Sequence, residues 1–126
     1  MKDYKEKVIS LENKDYDGIG KRISTERSIR LLHGAIGLAT ESGELLDQLK
    51  KHVYYGKELD VTNLVEELGD LYWYLNLVID EIGTTEDEVK RINFEKLSAR
   101  YPDKFKNSDA LVRDLDNERK ILEGKE

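Results

Sequence analysis

Two short acidic motifs are the part of this sequence best suited to chemistry. Residues 41–45 (ESGEL) and 67–71 (ELGDL) share the pattern acid-x-Gly-acid-Leu, and each lies within a long stretch of helical periodicity. Acids at positions i and i+3 project from the same face of a helix. Mg²⁺ prefers oxygen ligands and commonly shares them with substrate phosphates, so the motifs predict a magnesium site and phosphate chemistry. The four carboxylates are Glu41, Glu44, Glu67 and Asp70.

The elements that must position these acids are helices, and the predicted fold class is an all-α helical bundle. A single proline, Pro102, favours helix through most of the chain. Apolar residues recur at helical spacing in three long segments, the second of which has a heptad-like row suited to packing between helices or subunits. The expected bounds are a short helix and a loop within residues 1–20, long helices at about 24–52, 60–82 and 85–100, and a charged helix at about 108–122.

Each acid pair falls beside the apolar stripe of its helix, on the same side of that stripe. With Leu38 or Leu64 set to zero, the two acids of each pair lie at about 300° and 240°. Two helices packed through their stripes would bring these edges into one acidic cleft; the alternative is a pair of solvated faces. Gly43 and Gly69 also fall at matching angles, and glycine is costly at the centre of a helix. We interpret them as a place where two backbones approach closely.

Three residues of the third long helix, one amide and two cations, project from it in nearly the same direction. A bound anion on that side of the helix would explain why they share it. Arginine binds phosphate oxygens through two donors, and lysine acts as a point charge. The alternative is that their stems cover apolar surface while their charged ends reach water. These candidate substrate-binding residues are Asn93, Lys96 and Arg100.

Two residues on the acid side of the first two long helices are further substrate-binding candidates. Tyr74 could stack on a base, although a tyrosine packed within a bundle is the alternative. Lys51 could contact a phosphate, although a surface lysine is the alternative. Trp73 points elsewhere on its helix, and we expect it in the core or at an interface.

Composition excludes several other classes of protein. The 126 residues carry a net charge of -6, which argues against a surface for binding nucleic acid polymers. There is no cysteine, so no thiolate metal site can form, and His33 and His52 lack the Glu-x-x-His pairing of di-iron bundles. No signal peptide or membrane span is recognisable, and a cytoplasmic location is expected. We expect one domain over residues 1–126, with its core at about 24–105.

Three segments resemble the MazG-like nucleotide pyrophosphohydrolases of the all-α NTP pyrophosphatase group. They are residues 37–45 (GLATESGEL), 66–75 (EELGDLYWYL) and 93–102 (NFEKLSARYP). The likeness covers about residues 30–105 and is greatest to small single-domain members from phages and bacteria. It implies Mg²⁺-dependent hydrolysis, with Mn²⁺ as a possible substitute, of nucleoside or deoxynucleoside triphosphates to the monophosphate and pyrophosphate.

The resemblance also implies roles for individual residues and a state of assembly. Glu41, Glu44, Glu67 and Asp70 match the acids that hold Mg²⁺ in the family and are the expected catalytic residues. The segment with Asn93, Lys96 and Arg100 matches a tail that is expected to reach the nucleotide. A homodimer or homotetramer is expected, with a role in nucleotide-pool sanitation or control and no membrane partner.

One departure from the family pattern keeps other functions open. Thr40 stands where the family often has the first of three acids, which leaves any further metal and the general base undecided. The chain could therefore be an inactive regulator that binds nucleotides, or a helical oligomerisation module whose acids lie only on its surface. The sequence leaves the preferred base open as well.

Overall fold

The computed structural model describes residues 3–125, which form seven helices and no strand, so the predicted all-α fold class is confirmed. The helices are α1 (Tyr4–Leu11), α2 (Tyr16–Ile23), α3 (Glu26–Tyr55), α4 (Val61–Ile82), α5 (Glu86–Arg100), α6 (Asn107–Leu111) and α7 (Leu115–Leu122). None of these helices combines the length and apolar character needed to cross a membrane. Contacts divide the chain into an N-terminal unit, Met1–Val78, and a C-terminal unit, Ile79–Glu126.

Helix α3, which carries the first acidic motif, has well-defined signals at both ends. The Thr25 hydroxyl accepts a hydrogen bond from the Ser28 backbone N–H at 3.2 Å and so caps the first turn. At the other end, Gly56 adopts a φ of 65°, the left-handed conformation in which glycine ends helices without steric cost. The helix therefore continues three residues past the predicted end at His52.

Helices α4 and α5 begin where the capping pattern predicts. The Asp60 carboxylate accepts a hydrogen bond from the Asn63 N–H at 3.0 Å before the first turns of α4. Gly83, with a φ of 73°, follows the end of α4. The Thr85 hydroxyl then accepts from the Glu88 N–H at 3.2 Å and caps α5.

The two ends of the chain differ from the prediction, and an aspartate cap is the reason in both places. Asp15 accepts a hydrogen bond from the Gly18 N–H at 3.1 Å, so α2 forms where a loop was expected. Asp114 accepts from the Asn117 N–H at 3.0 Å and starts α7. The single helix predicted at about 108–122 is therefore two helices, α6 and α7.

Within the N-terminal unit, α3 meets α4 at a pair of buried glycines that were not singled out from the sequence. A side chain at Gly34 would clash with Val78, and one at Gly37 would clash with the Tyr74 ring. The interpretation of Gly43 and Gly69 as the close approach is wrong, because a Cβ at either position would have no neighbour within 4 Å. Wheel angles give directions around a helix, but they do not fix where along the helix a partner crosses.

Candidate metal centre and substrate pocket

Three of the four predicted acids come together in the N-terminal unit. Carboxylate oxygens of Glu41 on α3 and of Glu67 and Asp70 on α4 all lie within 4.8 Å of one another. Glu67 is only 4% exposed, Glu41 is half-buried and Asp70 is exposed. A group of hard oxygen donors that is buried on one side and open on the other suits a divalent cation that shares phosphate ligands.

The fourth acid, Glu44, lies outside this group of three. Glu44 is exposed and lies one helical turn beyond Glu41 on α3. Its charge nevertheless acts on the cluster, because repulsion from Glu44 is the largest electrostatic cause that raises the pKa of Glu67. Glu44 is thus close enough for its charge to act on Glu67, although it is not one of the three residues whose oxygens lie together.

The electrostatics of the cluster centre on Glu67. Burial is the main cause that raises the pKa of its carboxyl, followed by repulsion from Glu44 and then from Glu41 and Glu66. A hydrogen bond from Asn63 opposes this rise. The fold therefore holds a buried carboxylate among like charges, and a bound cation would relieve both the burial cost and the repulsion.

Asn63 is a residue of this site that the sequence analysis missed. Its Nδ2 donates to Glu66 Oε2 and to Glu67 Oε1, both at 3.1 Å. Its Oδ1 is buried and has no hydrogen-bond partner among the described residues. The spacing of four residues between Asn63 and Glu67 on one helix was the available signal.

An aromatic wall continues the acidic cluster along α4. Glu41, Asp70, Trp73 and Tyr74 line a cavity of about 330 Å³. The Trp73 and Tyr74 rings meet edge to face with centroids 4.9 Å apart, and the His33 ring lies 6.0 Å and 5.6 Å from them. Trp73 is 58% exposed, so of the two expected positions the core is wrong and the interface stays a prediction. Tyr74 lies beside the acids, as its helical angle predicts.

Lys51, the cation predicted to contact a phosphate from the acid side of α3, forms an ion pair with Asp47. Lys51 Nζ lies 2.7 Å from Asp47 Oδ2, and Lys50 Nζ lies 2.7 Å from Asp47 Oδ1. Hydrogen bonds from these two lysines lower the pKa of Asp47 to about 2. Lys51 would have to exchange Asp47 for a phosphate in order to bind substrate, so its substrate role stays a prediction.

The α5 candidates belong to the C-terminal unit, where Arg100 is held by α7. Arg100 donates from Nε and Nη2 to the two carboxylate oxygens of Glu118 at 2.7 Å and 2.6 Å. Arg113 Nη2 also donates to Glu118 at 2.6 Å, and these bonds lower the pKa of the Glu118 carboxyl to about 2. On the same helix Asn93 is exposed and Lys96 is half-buried. Their contact with a nucleotide stays a prediction.

Comparison with known families agrees with the geometry of the acids. The family model described as the MazG nucleotide pyrophosphohydrolase domain matches residues 34–105, which is more than half of the 126 residues. The chain belongs to this family. The resemblance to MazG-like proteins is thereby confirmed, and the matched segment contains both acidic motifs and the Asn93–Arg100 tail. Comparisons with curated proteins and with solved structures yield no match. MazG domains typically depend on divalent metal, which fits the cluster at Glu41, Glu67 and Asp70.

Proposed function

We propose that this MazG-family chain hydrolyses nucleoside triphosphates, deoxynucleotides in particular, to the monophosphate and pyrophosphate. The observation that carries the proposal is the position of Glu67, a buried carboxylate within 4.8 Å of two others, inside the segment that matches the family. A role in sanitising or controlling the nucleotide pool would follow from this activity.

The donor set supports Mg²⁺, with Mn²⁺ as a substitute, as the metal. Carboxylate oxygens are the ligands that both ions accept, and Mg²⁺ in particular is usually bound through a few carboxylates together with substrate phosphates. We propose Glu41, Glu67 and Asp70 as the residues that hold the ion, joined by Glu44 when substrate is bound. The ion would supply neutralisation of phosphate charge and would lower the pKa of water.

The reaction balances as a displacement at the α-phosphorus. A water oxygen forms a bond to the α-phosphorus, and the bond from that phosphorus to the oxygen bridging the β-phosphorus breaks. Pyrophosphate leaves with the electron pair, and a carboxylate accepts the proton from water. The acceptor would be whichever of the four carboxylates is not bound to the ion during the attack.

Residues of α5 would bind the triphosphate. In this proposal Lys96 and Arg100 stabilise the charge that develops on the phosphates, and Asn93 hydrogen-bonds the nucleotide. The pair with Glu118 uses Nε and Nη2 of Arg100. Glu118 would then hold the guanidinium in one orientation.

The cavity beside the acids is the proposed place for the base. Its aromatic lining, Trp73 and Tyr74, offers ring faces and edges directly next to Asp70. Stacking on aromatic side chains contributes about 1–3 kcal/mol per base and tolerates every base. The aromatic wall would therefore support nucleotide binding without selecting a base, and Tyr74 is the residue proposed to contact the base.

Exposed apolar side chains on the two site-bearing helices support a homodimer, with a homotetramer as the larger alternative. They include five residues that are each more than half exposed: Ile36, Leu46, Val53, Val65 and Tyr72. Apolar surface on this scale is typical of helices that pack against another subunit. Sedimentation equilibrium should give a mass of at least two chains, and a monomer at micromolar concentration would contradict the assembly.

The test of the reaction is turnover of a panel of dNTPs and NTPs with Mg²⁺, with pyrophosphate and orthophosphate measured separately. Pyrophosphate with monophosphate is the expected result and would also identify the preferred base. Orthophosphate with diphosphate would mean attack at the γ-phosphorus and would contradict the proposal.

Thr40 favours a second candidate, a nucleotide-binding regulator without catalysis. Its hydroxyl donates to the Gly37 carbonyl at 2.9 Å and to Glu41 Oε1 at 3.4 Å, so it bonds to its own helix and to one proposed ligand. Stabilisation by Mg²⁺ plus nucleotide without product would favour this regulator, and Thr40→Glu would be the first variant to restore turnover. A pure oligomerisation module would show no stabilisation by either ligand.

A further inference from the structure

The side-chain amide of Asn63 is locked in one orientation by two acids. Its nitrogen lies 3.1 Å from Glu66 Oε2 and 3.1 Å from Glu67 Oε1. An amide nitrogen has two hydrogens, one for each of these acceptors. The flipped amide would place its oxygen against two carboxylate oxygens, so the hydrogen-bond network excludes it.

The other end of the same amide is left without a donor. Asn63 Oδ1 is buried and has no partner among residues 3–125. A buried acceptor without a hydrogen bond costs about 1–3 kcal/mol, and folded proteins rarely leave one unless a ligand or an ordered water completes it. The nitrogen of the same amide is bonded to Glu67, a member of the carboxylate cluster, and a divalent ion there would bring water molecules whose hydrogens are donors.

We propose that Asn63 is a positioning residue of the metal centre, whose amide nitrogen fixes the Glu67 carboxylate and whose oxygen accepts a hydrogen bond from a water in the hydration shell of the bound ion. The inference rests on the proposed function only in requiring an ion at Glu41, Glu67 and Asp70. Groups that orient metal ligands in this way typically change metal affinity by about 10- to 100-fold.

The test is a calorimetric titration with Mn²⁺ alone, in the absence of nucleotide, on the full chain and on Asn63→Ala and Asn63→Leu. Asn76→Ala is the matched control, since Asn76 lies on the same helix, is exposed and donates to the Tyr72 carbonyl at 2.9 Å. Both Asn63 variants should raise the Mn²⁺ dissociation constant by about 10- to 100-fold, and the control should leave it unchanged.

A second readout separates positioning from general stability. The Mg²⁺ concentration for half-maximal turnover should rise in the Asn63 variants, while the rate at saturating Mg²⁺ stays near that of the unmodified chain. A structural role would instead lower the melting temperature and leave the metal affinity of the folded protein intact.

Results that would contradict the role of Asn63 can be told apart from results that would contradict the proposed reaction. Folded Asn63 variants that bind Mn²⁺ as tightly as the unmodified chain would overturn the inference, as would an unmodified chain that binds no Mn²⁺. Loss of folding in both variants would assign Asn63 to the core and overturn it too. Weakened Mn²⁺ binding in a chain that releases no pyrophosphate from any nucleotide would refute the reaction and leave the role of Asn63 standing.

Discussion

Two carboxylates are buried among residues 3–125, those of Glu67 and Glu118, and they have opposite surroundings. Their exposures are nearly equal, 4% and 5%. Glu118 receives hydrogen bonds from two guanidinium groups, those of Arg100 and Arg113, and its pKa falls to about 2. Glu67 receives a hydrogen bond from the neutral amide of Asn63 and faces other acids, and its pKa rises.

We interpret the Glu118 carboxylate as a charge that stabilises the fold and the Glu67 carboxylate as a charge that binds a ligand. Burial of an ion is unfavourable unless opposite charge or hydrogen bonds compensate for it. The chain supplies that compensation to Glu118, where α5 packs against α7. At Glu67 the proposed source of opposite charge is a divalent cation, which the carboxylates nearby favour.

Replacement of Glu67 should have the largest effect on activity. Glu67→Gln removes one ligand and its charge, so turnover should fall by about 10³-fold or more, because several kcal/mol of transition-state stabilisation depend on the metal. The variant should stay folded, since the amide relieves a buried repulsion. Pyrophosphate release at saturating Mg²⁺, with circular dichroism as the folding control, measures this. A folded Glu67→Gln protein with full Mg²⁺-dependent turnover would remove Glu67 from the site.

Replacement of Glu118 should affect stability instead. Glu118→Gln leaves two arginines without their carboxylate, one of them only 15% exposed in its side chain, and should lower the free energy of unfolding by on the order of 2 kcal/mol. Urea denaturation measures the loss. Mn²⁺ affinity without nucleotide should not change. A loss of metal binding in this variant, with stability intact, would reverse the assignment of the two carboxylates.

The pH dependence of stability should have opposite signs for the two groups in the absence of metal. The folded-state pKa of Glu118 is lowered from 4.5 to about 2, so its contribution is present above pH 4.5 and is lost as pH falls towards 2. The pKa of Glu67 is raised from 4.5, so its contribution is present below pH 4.5 and is lost as pH rises through the folded-state value. Urea unfolding of the unmodified chain and both Gln variants across this range measures each difference. Equal slopes in all three proteins would contradict the comparison.

The glycines where α3 meets α4 should show the smallest effects, with opposite signs. Gly37→Ala places a methyl group against the Tyr74 ring and should lower the free energy of unfolding by roughly 1–3 kcal/mol, with weaker metal binding because Glu41 shifts relative to Glu67. Gly43→Ala, six residues further along α3, meets nothing and should stabilise the protein by about 0.5–1 kcal/mol. Thermal melts of both variants test this, and destabilisation by Gly43→Ala would restore the original interpretation of that residue.

Local features of the fold could be predicted from the sequence, and the partners across helices could not. The caps at Thr25 and Thr85 depend on neighbouring residues, and so does the shared face of each acid pair. The meeting of Gly37 with Tyr74 and the pair of Arg100 with Glu118 depend on how one helix crosses another, which a helical wheel does not contain.

The same limit explains which site residues were missed. Asn63 was overlooked because its importance lies in a buried oxygen without a partner, and burial at that atom follows from the surrounding packing. Trp73 was expected in the core or at an interface from its angle alone; its side chain is outside the core and lines the cavity beside Asp70. Glu44 had the same helical relation to Glu41 as Asp70 has to Glu67, yet it stands outside the group of three oxygens.

Calorimetric titration of Mg²⁺ into the unmodified chain, Glu67→Gln and Glu118→Gln, without nucleotide, tests the central claim most directly. The account predicts Mg²⁺ binding by the unmodified chain and by Glu118→Gln with similar affinity, and none detectable by Glu67→Gln. Equal Mg²⁺ binding by folded Glu67→Gln and the unmodified chain would contradict the claim that this buried carboxylate is kept for a metal ion.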